Sequence, residues 1–397
     1  MRIDNIVKLF REDRSGFKST FGKLLKDELN PKDFSFQEVA YEFLGRKYAE
    51  VLNDYSDYKR DPISHLTEAD GGVVLPSTFK NISGFDHAVA GLIDAMVMEA
   101  YQGVEFIGDS MVEVRPGSTN GGKLIGVDND GEVPPDQELG EGEELPSVGL
   151  KESWVQIPDN VRRGNVVEID RESFTYDLTD KIQSMAQNAG YSVRRAREIA
   201  IADVCLGVTN TYSRNGTAGN TYLTTDGVSP MDYTNSDNIT LTDWTDIDEA
   251  TQLMQGNTDP STGFEIDVNP SKFGLLVSPQ RQMQTQTIVR ATEIRTATAT
   301  AANVRISENP VSNYSIQSSR IWYNRLVANS EASPEEIWLF GDFKRSFKYK
   351  EIHPFSTRSI PVGPSEAKRN IVTCIVADEM GVPFVAEPRY VGKFTIT

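Results

Sequence analysis

From Ile182 to Val204 the apolar residues Ile182, Met185, Ala189, Val193, Ala196, Ala200 and Val204 recur three or four positions apart. That spacing is one stripe along an α-helix. Arg194, Arg195, Arg197 and Glu198 fall between the stripe positions and are expected to face solvent or a polar partner. Asp177 or Thr179 can start the helix, and Gly207 can stop it in the left-handed conformation. From Asp177 to Leu206 it would be about 45 Å long at ~1.5 Å per residue. Gly190 inside it costs ~1 kcal/mol against Ala, so packing must compensate. A single narrow stripe without a heptad run predicts a spine lying across a sheet. An ordinary core helix of an α+β enzyme is the competing reading.

The pattern on either side differs. Residues 1–70 read as helical and separable, with a short stripe at Phe17, Phe21 and Leu24. A longer stripe follows at Phe36, Val39, Ala40, Phe43, Leu44, Val51, Leu52 and Tyr55, entered through Ser35 and Glu38 at capping-box spacing. Such an arm has no core of its own and needs a partner surface, expected in another part of the same assembly. Paired glycines at 71–72 lead into a short apolar strand. Residues 85–105 then predict an amphipathic helix.

From 106 to 170 the periodicity switches to two: MVEVR, KLIGV and SWVQI alternate, which is the strand pattern. Between Lys123 and Lys151 there is no base, while Asp128, Asp130, Glu132, Asp136, Glu138, Glu141, Glu143 and Glu144 supply eight acids, broken by prolines. Such a stretch cannot bury a core and predicts the tip of a long extended hairpin. After the spine, Asn215-Gly216 predicts a tight turn. Thr242–Met254 predicts a helix, PSKFGLLVSPQ a buried strand, and 279–292 another helix. The tail from Ile337 is β-rich: IWLFGDF, SFKYKEI, IVTCIVADE, PFVAE and GKFTIT.

Length and charge narrow the class. At 397 residues the chain fits two or three domains. Its net charge of −18 argues against a general nucleic-acid-binding protein, leaving room only for a weak local contact. Cys205 and Cys374 sit in apolar surroundings and read as buried thiols. No run of about 18 apolar residues suggests a membrane span.

Candidate chemistry is sparse. Gly117–Lys123 matches G-x-x-x-x-G-K, but Leu124 follows where a phosphate-binding loop needs Ser or Thr. It is read as a hairpin turn. His65, His87 and His353 lie far apart, outside any zinc spacing. No G-x-S-x-G or paired Cys/His exists. The acidic tip lacks EF-hand spacing. GDFKRSFKYK mixes bases with aromatics and is read as a strand with Phe and Tyr on its core face.

The ordered set is more specific than any one motif. An N-terminal helical arm, a Gly-Gly-strand-Pro entry, a helix, a long hairpin, a spine helix, a β/α insertion and a β-rich return follow one another. GEVPPDQELG, WVQIPDNVRR, REIAIADVCLG, FGLLVSP and FGDFKRSFKY stand at the corresponding places. Over about residues 68–397 the chain resembles the tailed-phage major capsid protein of the Hong Kong 97 type.

The resemblance implies an α+β fold divided as follows: 1–70 arm, 71–105 peripheral-domain entry, 106–165 extended loop, 166–208 spine, 209–335 axial domain and 336–397 peripheral return. It implies pentamers and hexamers of the chain itself in an icosahedral shell around double-stranded DNA, within a virion assembled in the bacterial cytoplasm. Portal, scaffold and decoration proteins would be partners, with weak non-specific DNA contact, no membrane, no cofactor, no metal and no catalysis.

Candidate inter-subunit contacts are Glu132, Asp136, Glu138, Glu141, Glu143 and Glu144 on the loop. Facing them would be Arg194, Arg195 and Arg197 on the spine, or Lys344, Arg345 and Lys348 on the return. The loop has no lysine from 124 to 150, which argues against the cross-linking some relatives perform there. Residues 1–70 are expected to be retained. Where many relatives have an E-R-x-D-G-like turn, this chain has Asp378, Glu379, Met380 and Gly381. The rival readings are an encapsulin-like nanocompartment shell and, more remotely, a metal-dependent hydrolase using the 128–146 carboxylates.

Overall fold

The computed structural model describes residues 35–44, 77–125, 153–170, 178–209, 212–224, 233–258, 268–297, 304–360 and 370–396, together with Glu172, Ser173, Tyr176 and Ile266. They form an α+β chain. Helices α1 (Phe36–Leu44), α2 (Ser77–Gln102) and the short α3 (Gly108–Met111) come first. Strands β1 (Glu113–Pro116), β2 (Gly122–Ile125), β3 (Trp154–Ile157) and β4 (Val161–Asp170) lead to the spine helix α4 (Thr179–Cys205). Short strands β5 (Ser213–Arg214), β6 (Thr217–Ala218) and β7 (Ser236–Asp237) precede α5 (Trp244–Gln255), β8 (Gly274–Val277) and α6 (Gln282–Arg290). A ribbon of β9 (Glu293–Ala297) and β10 (Val304–Glu308) is followed by β11 (Ser315–Ser318) and α7 (Arg320–Ala328). The return comprises β12 (Ile337–Gly341), α8 (Phe343–Ser346), β13 (Phe347–Ile360), β14 (Ile371–Val385) and β15 (Val391–Thr395).

The chain clusters into two compact units: residues 1–105, 162–196 and 353–380, and residues 106–161, 197–352 and 381–397. Helix α4 and strands β13 and β14 contribute residues to both.

In the first unit, helices α1, α2 and the N-terminal half of α4 share one core with β4 and β14. Phe36, Val39, Ala40 and Phe43 pack there with Phe85, Val89, Ile93, Val97, Ile182, Ala186, Ala189, Val167, Ile169 and Ile375. Two expectations change. The stripe at 36–44 finds its partner within the chain, and the Phe36 N–H donates to Thr179 Oγ1 at 3.2 Å. That stretch is therefore core rather than free arm; residues 1–34 and 45–76 lie outside the described residues. On the spine, Met185 is exposed and Ala186 takes the core position. The buried line runs 182, 186, 189, 193, 197, 201 and 204, which puts Arg197 on the stripe. Helix α2 begins at Ser77, earlier than its apolar pattern shows.

In the second unit a five-stranded sheet runs β11-β8-β12-β15-β7. Strands β8 and β12 are apolar without interruption because both faces are covered. Leu275, Val277, Trp338, Phe340 and Phe394 point to one core with α5 and α6. Leu276, Ile337, Leu339 and Val391 point to another, with the end of α4 and α7. Helix α5 starts at Asp243, whose side chain accepts from the Thr245 N–H at 2.8 Å while Asp246 reaches back to the Asp243 N–H at 3.1 Å.

Strands β2 and β3 pair antiparallel with Lys123 opposite Gln156 and Leu124 opposite Val155, forming the base of the predicted hairpin. Its tip, 126–152, lies outside the described residues. Asn215 and Gly216 make the β5–β6 turn at φ 49° and 83°, as their types predict. The Asp378–Gly381 stretch is not a turn but the middle of β14. Gly381 serves close approach instead, since a Cβ there would stand 2.7 Å from the Lys350 carbonyl oxygen and the Tyr349 ring. FGDFKRSFKYK is likewise not one strand: Asp342 caps α8 by accepting from the Arg345 N–H, and the strand begins at Phe347.

Candidate functional site

The sequence-predicted contact residues divide into three groups. Glu132, Asp136, Glu138, Glu141, Glu143 and Glu144 lie outside the described residues. Arg194, Arg195, Lys344 and Arg345 remain at least partly open to solvent. Arg194 stands over the Tyr101 ring at 5.3 Å, and Arg345 over the Tyr390 ring at 3.7 Å. Arg197 and Lys348, read from sequence as surface contacts, are buried and paired within the chain. This corrects their expected placement.

The Arg197 guanidinium donates to Asp109 at 3.2 Å and Glu351 at 3.0 Å, and lies 4.1 Å from the centre of the Tyr349 ring. A buried cation requires such partners. At the next residue, the Glu198 carboxylate accepts from the Gly108 N–H at 2.8 Å and from the Trp322 indole N–H at 2.5 Å. The first of these is an otherwise orphaned donor at the start of α3. Arg325 grips both oxygens of Asp203 at 2.6 and 2.9 Å. Thus Arg197, Glu198 and Asp203, near the C-terminal end of the spine, carry buried or half-buried charge, all of it satisfied inside the second unit. Nothing in the local sequence signals these pairs, because their partners are more than 80 positions away.

Lys348 Nζ pairs with Glu113 and donates to the Lys344 carbonyl at 2.7 Å. The hydrogen bond from Lys348, followed by that from Arg115, holds the Glu113 carboxyl below the usual carboxylate range. Strand β1, which carries Glu113, runs parallel to β13 with Glu113 opposite Lys348.

The G-x-x-x-x-G-K stretch is a turn, but it joins strands of different sheets rather than two arms of one hairpin: β1 pairs with β13 and β2 with β3. Lys350 Nζ donates into it, to the Thr119 carbonyl at 2.7 Å and the Gly121 carbonyl at 2.5 Å. A phosphate cradle presents N–H groups to an anion. Here carbonyl oxygens converge on an ammonium, the opposite polarity.

Cys205 and Cys374 are buried and free of disulfide bonds. Burial, with the Glu198 charge adding to it, pushes the Cys205 thiol well up from its ordinary value. Among the described residues there is no group of three or more His, Cys, Asp or Glu placed to hold a metal ion. No helix among them is long and apolar enough to cross a membrane.

A further charged group escaped the sequence reading. On the first unit's sheet, Arg162 of β4 and Arg358 of β13 both donate to Asp378 Oδ2 of β14, Arg162 through Nε at 2.9 Å and Arg358 through Nη2 at 3.2 Å. Only the neighbouring arginine pair in WVQIPDNVRR hinted at it; the convergence is made by the sheet.

The chain resembles solved capsid structures at low identity. It is 11% identical to the capsid of cyanophage P-SCSP1u, covering 72% of this chain and 86% of that one with a TM-score of 0.44. For Gordonia phage Cozz the identity is 13%, the coverage 73% and 86%, and the TM-score 0.43. For the virus-like particle from Pyrococcus furiosus they are 11%, 76% and 97%, and 0.39. No curated protein matches the chain in sequence. Residues 159–390, from just before β4 to just before β15, match the model of the family described as phage capsid protein. The chain belongs to that phage capsid protein family.

Proposed function

We propose that this chain is the major head subunit of a tailed phage, closing an icosahedral shell of pentamers and hexamers around double-stranded DNA. In this reading residues 71–105, 166–208 and 336–397 form the peripheral domain, 209–335 the axial domain at capsomer centres, and 106–165 a loop reaching over a neighbour. The subunit works as a structural protein without turnover chemistry. It would meet portal, scaffold and decoration proteins during assembly in the host cytoplasm, and DNA only weakly, consistent with a net charge of −18.

The observation that carries the reading is the family match across residues 159–390, which takes in the spine helix and both long return strands. Electron microscopy and sedimentation of the expressed protein, with scaffold supplied, test it. Closed shells are expected. A chain that stays monomeric at high concentration and physiological salt would overturn it. Nuclease-protected double-stranded DNA in particles from infected cells checks the cargo; protein cargo instead would point to a nanocompartment.

A further inference from the structure

The Gly117–Lys123 loop, which imitates a phosphate cradle in sequence, has a fixed internal occupant. A lysine ammonium carries three N–H donors, and three oxygens of the loop meet that of Lys350. They are the Thr119 carbonyl at 2.7 Å, the Gly121 carbonyl at 2.5 Å and, at a longer 3.4 Å, Thr119 Oγ1. Lys350 is only 6% exposed. Its charge is therefore held by carbonyl dipoles, the kind of oxygen donor that suits a hard cation. The residue types fit that occupant. Gly117 leaves room for the lysine stem, since a Cβ there would stand 2.9 Å from Lys350 Cγ. Gly121 and Gly122 hold φ 62° and 132°, a path that side chains disfavour.

The same node ties in the far side of the β2–β3 ribbon. Asn160 stands three residues past β3 and donates through Nδ2 to the Thr119 carbonyl at 2.9 Å and to Asn120 Oδ1 at 3.1 Å. Its N–H donates to Asn120 Oδ1 at 2.9 Å. The Thr119 oxygen thus spends one lone pair on each root of the ribbon. Beside it the Gly117 N–H donates to the Glu351 carbonyl at 2.8 Å, just past the last β1–β13 pair, Pro116 opposite Glu351.

We propose that Lys350 is a positioning residue: its ammonium is the built-in cation of the Gly117–Lys123 loop and locks both roots of the β2–β3 ribbon onto β13. Without it, the Gly121 carbonyl and one lone pair of the Thr119 carbonyl lose their donor, and the root is free to swing on its glycines. The inference stands on the geometry of the root. The shell reading adds only that a ribbon held loosely lowers assembly.

Peptide-resolved hydrogen exchange on the full chain tests the lock. K350M keeps an apolar stem and removes the ammonium. Amides of 122–125 and 154–157 are then expected to exchange about tenfold faster than in wild type, while those of β8 and β12 keep wild-type rates. K350A also removes the stem, which makes room for a probe. Ethylammonium chloride should return its exchange to within about twofold of wild type, and tetramethylammonium, which has no N–H, should not. N160A should speed exchange in the same ribbon and ignore ethylammonium. Shell yield of K350A should fall about fivefold and recover with ethylammonium. A K350M ribbon as protected as wild type would overturn the lock, as would ethylammonium without effect on K350A. Protection lost equally across β8 and β12 would make Lys350 an ordinary core residue and likewise overturn it. Failure of the wild-type chain to form shells would sink the shell reading and leave the exchange result standing.

Discussion

The spine helix at Gly190 lies directly against the backbone of α2 at Val97: a Cβ on Gly190 would stand 3.1 Å from the Tyr101 amide nitrogen and closer still to the Val97 carbonyl oxygen. A glycine that weakens its own helix by ~1 kcal/mol is therefore what lets two long helices approach.

Gly190→Ala separates helix propensity from packing. Propensity alone predicts a gain; the obstruction is backbone, which cannot swing aside. We expect a net loss of roughly 1–3 kcal/mol, the usual scale of overpacking, measured by urea unfolding of the isolated subunit. A stabilised variant would show that α2 shifts freely.

The α1 stripe makes a second test. Phe36 and Phe43 are buried in the core with α2. Phe36→Ala should destabilise the subunit by about 3–5 kcal/mol. A variant with unchanged melting but defective assembly would return this helix to the role of a detached arm.

Arg197 spans Asp109 and Glu351 while stacking on Tyr349. A lysine keeps the charge but is a single point donor and loses the planar stack. Arg197→Lys is expected to cost about 1–2 kcal/mol in the same unfolding assay. Wild-type stability for that variant would mean that charge alone suffices at this position.

The α5 capping box predicts a pH signature. Burial would raise the Asp246 carboxyl, but hydrogen bonds from the Thr242 N–H and hydroxyl, the Asp243 N–H and the Thr240 hydroxyl outweigh it and hold the group below its ordinary value near 3.8. A carboxyl depressed in the fold adds stability that is fully present above its unfolded value and is lost as pH falls through the folded one. The stability gap between wild type and Asp246→Asn should thus be constant from neutral pH down to about 5, and shrink below about 4. A gap that widens on acidification would contradict the cap geometry.

Much of the fold is legible along the chain because it depends on local chemistry. The spine runs from Thr179 to Cys205 with Gly207 beyond it at φ 72°, as its stripe and stop residue predict. Helix α5, the Asn215-Gly216 turn and the buried strand Gly274–Val277 are equally local. The errors fall where hydropathy and tertiary environment disagree. Arg197 falls outside a stripe drawn from apolar residues because arginine is polar, yet position 197 continues the buried line from 189 and 193. Lys348 and Lys350 alternate with Phe347 and Tyr349 and read as a solvent face, but both are covered and paired.

What the sequence determined by itself is the order of elements, the two-sided burial of the central strands and the concentration of acid between Lys123 and Lys151. These follow from periodicity and composition, which each segment carries with it. What only the tertiary structure decided is which charges are spoken for inside the subunit. Asp378 lies more than 200 positions from Arg162 and 20 from Arg358. Glu198 meets its indole partner 124 positions away. A charge's fate depends on the groups that folding brings within hydrogen-bonding reach, and no local pattern encodes that distance.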